Sequence, residues 1–357
     1  MPHLVTAAAA TIIAMGAVVS NAAAATTLNG SGSTLIQPLM NEWTFAYNAA
    51  TAGNVTVNYS GVGSTKGVSN LTTAPGSWDF GASDAPLSPA QLQLCPSCRQ
   101  IPWGLTAVAV GYNLHGLKNI GLHLSGPVLA EIYLGQITKW NSKAIKALNP
   151  KIKLPNEKIS VFYRSDGSGD SYAFTNYLAD VSATFRSTVG NTTQPAFPTG
   201  TGEAHNSGVT QAVATTPGGI GYISASYLIQ NGMPAAAVTN AWGNAIYPNI
   251  NNIEADALLL KSVPANAEMH IVDPGKAKKP TCKLSGEPKE SCSKLAYPIA
   301  TFTYAIVRTD SPQLAAVKEF IQYCLSSAVQ SRFDYALDFA PLPKIVVKAA
   351  NRTLSGL

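Results

Sequence analysis

Short apolar runs alternate along this chain with polar turns and with segments whose apolar residues recur at helical spacing. The run 159–163 predicts a strand, which delivers Arg164 into a polar turn over 165–170. Beyond the turn, the apolar residues of 174–181 fall at i, i+3, i+4 and i+7, which is the period of a helix. Glycine and serine at such a helix start offer unpaired N–H groups and hydroxyls to an anion. A capped turn whose arginine pairs only with Asp166 is the structural alternative.

The same order of strand, loop and helix recurs elsewhere. The strand 102–113 is apolar enough to be buried on both faces. The repeated order indicates an α/β fold, whose ligands bind at the carboxyl ends of the strands. Further strands are predicted from 27, at 55–59, at 78–86 and at 300–308, helices at 36–47, in two segments of 125–148, before Pro217 and from Ser311-Pro312 to Cys324, and a polar loop at 199–208.

The first 25 residues are predicted to be an export signal. An apolar run of about 16 residues precedes an alanine-rich, A-x-A-like cleavage site at 22–25, although no Lys or Arg precedes the run. A membrane anchor is the alternative, but the run is shorter than a membrane span needs. Cleavage would leave 332 residues (357 − 25), enough for two lobes. Since no cysteine stands at this site, we expect a soluble secreted protein rather than a lipoprotein.

Five cysteines suit an oxidising compartment. Cys95 and Cys98 are predicted to form one small-loop disulfide, and Cys282 and Cys292 a second that pins an exposed insert at about 275–292. Cys324 lies on the apolar face of a predicted helix and is expected to be a buried free thiol. A redox motif or half of a zinc site is the alternative for the C-x-x-C pair.

Charge and histidine content exclude some classes of function. The net charge is +5 and no basic block is interleaved with aromatic residues, so nucleic-acid binding has little support. The five histidines include no H-x-x-x-H pair, so we expect neither a catalytic metal nor another cofactor. The glycine-rich loop 61–67 fails as a nucleotide P-loop, because no Ser or Thr follows Lys66.

Four loops share a chemical character: 30–35, 61–67, 81–86 and 164–171. Each follows a predicted strand. Three of them supply Gly with Ser or Thr at a helix start, and the remaining loop, 81–86, supplies Asp84. If they converge, their donors and Arg164 suit a small oxyanion. An ionised carboxylate only accepts hydrogen bonds, so Asp84 would favour a protonated ligand such as hydrogen phosphate over sulfate. Each residue alone has an ordinary explanation, since Asp84 also suits a turn and Ser64 a helix cap.

These loops carry a resemblance to the periplasmic phosphate-binding protein of the phosphate ABC transporter, the PstS family. GSGSTLIQPL looks like that family's GAGATFPAP, YSGVGSTKGV resembles its YQGIGSSGGV, and DFGASDAPL is the same string. IYLGQITKW, YRSDGSGDSYAFTNYL and GGIGY follow in the family's order. The resemblance covers essentially the whole mature chain.

The resemblance implies a two-lobed, type II-like periplasmic-binding-protein fold, with a mixed sheet flanked by helices in each lobe and a hinge between them. It places residues 26–103 and 302–357 in lobe 1 and residues 104–301 in lobe 2. It further implies that Asp166 supports Arg164. The implied phosphate-binding residues are Thr34, Leu35, Ser64, Asp84, Arg164, Ser168, Gly169 and Asp170.

Two positions depart from the family pattern. Leu35 stands where the family often has Phe, which costs little if only its N–H binds. Asp170 stands where the family usually has threonine, a hydroxyl donor. Either Asp170 points away to cap its helix, or it accepts a proton from the ligand and favours monobasic phosphate. We favour the second interpretation, which predicts that affinity weakens as the pH rises above the second pKa of phosphate.

The resemblance implies capture of phosphate outside the cytoplasm by a monomer that delivers it to an ABC permease, without catalysis. Arsenate carries the same proton and is not excluded as a ligand. The alternatives are a phosphatase or hydrolase-like enzyme on this scaffold, or a secreted phosphate-binding sensor or adhesin. No G-x-S-x-G elbow surrounds Ser64 or Ser168, which disfavours the hydrolase.

Overall fold

The structure of the protein is a computed structural model. The structure describes residues 25–74, 76–114, 117, 121–269, 281–282, 290–333 and 335–357. Residues 1–24 of the predicted export signal and most of the insert 275–292 therefore lie outside the described residues. The strands are β1 Thr26–Gly32, β2 Val55–Gly61, β3 Phe80–Ser83, β4 Cys98–Asn113, β5 His123–Leu124, β6 Ser160–Arg164, β7 Thr201–Glu203, β8 Gly219–Ser224, β9 Ala237–Thr239, β10 Ala245–Ile246, β11 Thr281–Cys282, β12 Glu290–Ser291 and β13 Ala300–Arg308.

Helices follow most of these strands, as the alternation of patterns predicts. A short 3₁₀ turn, Tyr335–Leu337, precedes the last helix. The helices are α1 Gln37–Ala50, α2 Ser64–Thr73, α3 Pro89–Leu94, α4 Gly126–Tyr133, α5 Lys143–Leu148, α6 Gly169–Val181, α7 Ala183–Thr188, α8 His205–Thr215, α9 Ala225–Gln230, α10 Ile250–Ala257, α11 Cys292–Leu295, α12 Leu314–Cys324, α13 Ser327–Phe333 and α14 Lys344–Ser355.

One eight-stranded sheet, in the order β2-β1-β3-β13-β4-β8-β6-β7, organises the fold. Strands β1, β2 and β3 are parallel to one another, and so are β6, β7 and β8, while β13 and β4 pair antiparallel to their neighbours. A three-stranded sheet, β10-β9-β5, and the pair β11-β12 complete the described sheets. The sheet is therefore mixed, as predicted.

Strand β4 belongs to both parts of the sheet. Residues 98–107 pair with β13, whereas residues 108–113 pair with β8. We call β1, β2, β3, β13 and residues 98–107 the first half-sheet, and β6, β7, β8 and residues 108–113 the second half-sheet. Between Arg99 and Asn113 every residue of β4 is buried, which confirms the prediction of a strand covered on both faces.

Each half-sheet has its own aromatic cluster. In the first, Trp103 packs edge-on against Trp43 and Phe80, with ring centroids 5.6 and 6.1 Å away. In the second, Tyr222 stacks on Phe174 at 4.5 Å. Such pairs stabilise a core by roughly 0.5–1.5 kcal/mol each beyond their buried area. Tyr222 also reaches the functional site, so this core fixes a part of it.

Two local predictions need correction. The segment 199–208 is not simply a loop, because it contains the edge strand β7 and the start of α8. Its glycine, threonine and asparagine content hid a three-residue strand that pairs with β6. The helix before Cys324 begins at Leu314, with Gln313 at the N-cap, rather than at Pro312. Ser311, predicted as the N-cap, still accepts a hydrogen bond from the Gln313 N–H at 3.2 Å, although it lies two residues before the observed N-cap.

The cysteines largely follow the sequence prediction. Cys95 and Cys98 form a disulfide, with a Cα–Cα distance of 5.3 Å, and Cys324 is buried and takes part in no disulfide. Cys292 is disulfide-bonded, but the side chain of Cys282 lies outside the described residues, so their pairing stays a prediction.

Candidate functional site

The carboxyl ends of β1, β2 and β3 lie side by side, since Gly32 is in register with both Gly61 and Ala82. The loops that follow bring Ser33, Ser64 and Asp84 together. Oδ2 of Asp84 accepts hydrogen bonds from Ser33 Oγ at 2.5 Å and from Ser64 Oγ at 3.2 Å. Parallel register thus explains how loops 20 to 51 residues apart meet at one point.

A glycine permits Ser64 to stand at the start of α2. Gly63 is the N-cap with φ of 89°, a left-handed conformation that favours glycine. A Cβ on Gly63 would also lie 2.4 Å from Oδ2 of Asp166 and 2.9 Å from the carbonyl oxygen of Gly167. The loop of the first half-sheet is therefore in contact with the loop that follows β6.

Arg164 ends β6 and is almost fully buried. Its guanidinium donates to both oxygens of Asp166, from Nε at 2.7 Å and Nη2 at 2.5 Å, and from Nη1 to Oδ2 of Asp170 at 2.6 Å. Its backbone N–H donates to the hydroxyl of Tyr222 at 3.0 Å. The arginine is therefore held between two carboxylates and the aromatic core, not by Asp166 alone.

Asp170 is turned into the cleft, and Ser168 caps α6. The Ser168 hydroxyl accepts from the N–H groups of Asp170 at 3.0 Å and Ser171 at 3.4 Å. Oδ2 of Asp170 accepts from Arg164, from Ser168 Oγ at 3.0 Å and from Asn206 Nδ2 at 3.0 Å. The helix cap is thus occupied by Ser168, so Asp170 is not the capping residue.

Direct contacts join the two half-sheets at this site. The N–H of Gly169 donates to Ser64 Oγ at 3.1 Å, and the N–H of Thr65 donates to the carbonyl of Gly167 at 3.1 Å. Gly169 lies so close to Asp84 that a Cβ there would come within 2.5 Å of Asp84 Cβ. The cleft between the half-sheets is therefore closed in this structure.

The structure brings two residues to the site that sequence reasoning missed. Ser33 donates to Asp84, and Asn206 donates from Nδ2 to Thr34 Oγ1 at 3.1 Å as well as to Asp170. Ser33 lies inside the predicted loop 30–35, so the signal was present, but Thr34 was favoured by the family resemblance. Asn206 lies in the segment that was predicted to be a loop. The helix predicted to follow that loop was the only local sign that Asn206 would be held in a fixed position.

Leu35 is placed differently from the other predicted site residues. Its side chain is fully buried in the hydrophobic core, and its N–H donates to Ser33 Oγ at 3.0 Å. The remaining predicted phosphate-binding residues are all buried at the closed cleft. These residues are Thr34, Ser64, Asp84, Arg164, Ser168, Asp170 and, by its backbone contacts, Gly169.

Burial dominates the electrostatics of the two cleft carboxyls. Burial and then the nearby charge of Asp170 raise the pKa of Asp84 to about 7, although the nearby hydroxyls of Ser33, Thr303 and Ser64 act to lower it. Burial also raises the pKa of Asp170, although the charge of Arg164 opposes this. Asp166 behaves in the opposite way, since the hydrogen bond and charge of Arg164 outweigh burial and lower its pKa.

A cavity of about 270 Å³ lies beside the site. Ser64 and Ser83 border it from the first half-sheet, and Tyr172 and Thr193 from the second. Thr193 also accepts a hydrogen bond from Thr65 Oγ1 at 3.2 Å, so the cavity crosses the cleft. Hydroxyl groups from both half-sheets therefore border this cavity, next to Ser64.

In the described part of the chain, no group of three or more His, Cys, Asp or Glu side chains is arranged to hold a metal ion. No helix within those same ranges combines the length and the apolarity that crossing a membrane requires.

The fold and the closed cleft define a PBP-type binding protein. A family model described as a PBP superfamily domain matches residues 17–328. The phosphate-binding protein PstS of Xylella fastidiosa is 34% identical over 324 residues, which cover 90% of this chain and 83% of that protein. PstS of Haemophilus influenzae is 31% identical over 328 residues, covering 91% of each. The chain therefore belongs to the PstS family of phosphate-binding proteins.

A solved structure supports the fold independently. The phosphate-binding protein from Stenotrophomonas maltophilia superposes with a TM-score of 0.64 at 19% identity, over 92% of this chain and 93% of that chain. At this level of identity the comparison shows the fold. It confirms the predicted two-lobed α/β architecture, and the matches to PstS proteins confirm the predicted family.

Proposed function

We propose that this protein captures inorganic phosphate in the cleft between its half-sheets and delivers it to the permease of an ABC transporter. The observation that carries the proposal is the meeting of Asp84, Arg164 and Ser64 in one buried cluster at the ends of strands from both half-sheets. The names of the PstS relatives support the same ligand.

Each group has a role that follows from its chemistry. Arg164 supplies a permanently charged, forked donor, oriented by Asp166. The hydroxyls of Ser64 and Ser168 and the N–H groups at the starts of α2 and α6 surround a tetrahedral oxyanion at the positive ends of two helices. The hydroxyl of Thr34 adds a donor, and the N–H of Leu35 adds another once it leaves Ser33.

Asp84 selects for a protonated ligand. Its Oδ1 is buried and has no hydrogen-bond partner among the described residues, so it accepts the O–H of hydrogen phosphate. Sulfate has no such proton and would place lone pairs against the carboxylate. A buried polar mismatch of this kind discriminates between ligands by up to ~10⁴–10⁵. Arsenate carries the proton and is expected to bind.

The proposed movement is a hinge between two lobes, residues 26–103 with 302–357 and residues 104–301. Strand β4 links them, since its pairing changes from β13 to β8 after residue 107. Closure would join Ser64 to Gly169 and Thr34 to Asn206 across the cleft. The same proposal includes an N-terminal export signal, placement outside the cytoplasm and a monomeric state.

Capture without catalysis distinguishes this proposal from a phosphatase. Isothermal titration with phosphate, sulfate and arsenate should give binding of phosphate and arsenate and little heat with sulfate. A parallel assay with a chromogenic phosphate ester should show no turnover. Asp84→Asn should lose the discrimination against sulfate, while the control Asp310→Asn at an exposed surface ion pair should retain it. Turnover of the ester, or absence of phosphate binding, would overturn the proposal.

A further inference from the structure

Two carboxylate oxygens at the cleft are buried without a hydrogen-bond partner among the described residues: Oδ1 of Asp84 and Oδ1 of Asp170. The other oxygen of each carboxylate is well satisfied. Oδ2 of Asp84 accepts two hydroxyl hydrogen bonds, and Oδ2 of Asp170 accepts three hydrogen bonds. A buried acceptor without a donor is costly, so these two oxygens point to a ligand that donates.

The two carboxylates are close enough to share one small ligand. Gly169, the neighbour of Asp170 in the chain, packs against Asp84 so tightly that a Cβ would lie 2.5 Å from Asp84 Cβ. Ser64 Oγ contacts both Asp84 Oδ2 and the N–H of Gly169. The charge of Asp170 also raises the pKa of Asp84, and only burial raises it more. The loops that carry the two carboxylates are therefore in direct contact, which places both side chains at one small site.

Near pH 7, the tyrosines beside the two cleft carboxylates do not lose or gain a proton. Burial raises the pKa of each neighbouring tyrosine, that of Tyr227 to about 12, so these tyrosines stay neutral near pH 7. The titratable and charged groups that face Asp170 are Arg164 and Asp166 from its own loop, Asp84 from the loop after β3, Tyr222 from β8 and Tyr227 from α9. Those that face Asp84 are Asp170, Tyr59 from β2 and Tyr304 from β13. His205 faces Asp166.

We propose that the cleft takes up phosphate as the dihydrogen ion, whose two O–H groups donate to Oδ1 of Asp84 and Oδ1 of Asp170. The inference rests on the proposed function and specifies the protonation state of its ligand. The two remaining phosphate oxygens accept from Arg164 and, once their protons turn away from the carboxylates, from the hydroxyls of Ser64 and Ser168. The dibasic ion has one O–H and would leave one carboxylate facing a lone pair and a second negative charge.

The proton count of the complex is the measurable consequence. Together, the ligand and the two cleft carboxyls hold two protons. At about pH 8.5 free phosphate is mainly dibasic, and Asp84, whose pKa is about 7, is mainly ionised. Binding at that pH therefore takes up about one proton, and affinity falls about tenfold for each further unit of pH.

Isothermal titration of the full-length protein with inorganic phosphate, in buffers of different ionisation enthalpy, measures this uptake. The wild type should take up about one proton at about pH 8.5, and Asp170→Thr, which restores a hydroxyl donor, should take up close to none. Asp170→Asn gives a second comparison if the threonine variant unfolds. Equal proton uptake in the wild type and either folded variant, or no uptake in the wild type, would overturn the inference.

The pH dependence of phosphate affinity gives an independent readout. Above about pH 8, where free phosphate is mainly dibasic and Asp84 is mainly ionised, the affinity of the wild type should fall about tenfold for each unit of pH. In Asp170→Thr the complex needs only the proton that dibasic phosphate carries, so its affinity should stay nearly constant over the same range, and equal slopes for the two proteins would contradict the inference. Absence of phosphate binding at every pH would refute the proposed function itself, an outcome distinct from binding without proton uptake.

Discussion

Gly169 sits where the two half-sheets touch, so adding a single methyl group there tests whether the closed cleft is the binding form. Its N–H donates to Ser64 Oγ, and its Cα packs against Asp84. The φ of Gly169 is not in the left-handed region, so alanine suits the local backbone. We expect Gly169→Ala to fold normally and to bind phosphate more weakly.

The structure sets the size of the effect. The added Cβ would lie 2.5 Å from Asp84 Cβ and 2.8 Å from its Cα and carbonyl carbon, whereas ordinary contacts begin at 3.4 Å. The half-sheets would have to separate by 0.9 Å (3.4 − 2.5) to relieve the overlap. Overpacking of this kind costs about 1–3 kcal/mol. Because the cost falls on the closed form alone, affinity should fall about 5- to 150-fold.

Titration calorimetry measures the affinity, and small-angle X-ray scattering with and without phosphate measures closure. The matched control is Gly208→Ala in α8, where a Cβ would meet Glu203 Cβ at an unstrained 3.5 Å. The control should bind like the wild type and compact on adding phosphate, whereas Gly169→Ala should compact less. Phosphate affinity of Gly169→Ala equal to that of the wild type would refute the assignment of this contact to the bound state.

Three further predictions test the surroundings of the site. Asn206→Ala should lower phosphate affinity about tenfold and destabilise the fold by about 1–3 kcal/mol, measured by calorimetry and urea unfolding, because it leaves buried partners unsatisfied. Arg164→Lys should abolish the forked pair with Asp166 and destabilise the fold by up to about 3–5 kcal/mol in urea unfolding; a stability equal to that of the wild type would show that the fork contributes nothing. Replacing Cys95 and Cys98 by serine should cost about 2 kcal/mol in the same assay without changing phosphate affinity.

Much of the fold is encoded locally. The apolar run of β4 and the helical period after residue 174 are patterns of a few neighbouring residues, and the structure confirms both. The serine and glycine helix starts are likewise local, because a cap satisfies N–H groups two or three residues away. The three-residue strand β7 was not predicted, because its own residues show no strand pattern and the strand is defined by its pairing with β6.

Only part of the chemistry of the site could be predicted from the sequence in the same way. The sequence determined which donors and acceptors stand at the strand ends, including Asp170 in place of a hydroxyl. Only the tertiary structure decided that Asn206 reaches Thr34 across 172 positions, and that one oxygen of each cleft carboxylate is left without a donor. Burial and charge proximity depend on segments far apart in the chain, so the raised pKa of Asp84 has no local signature.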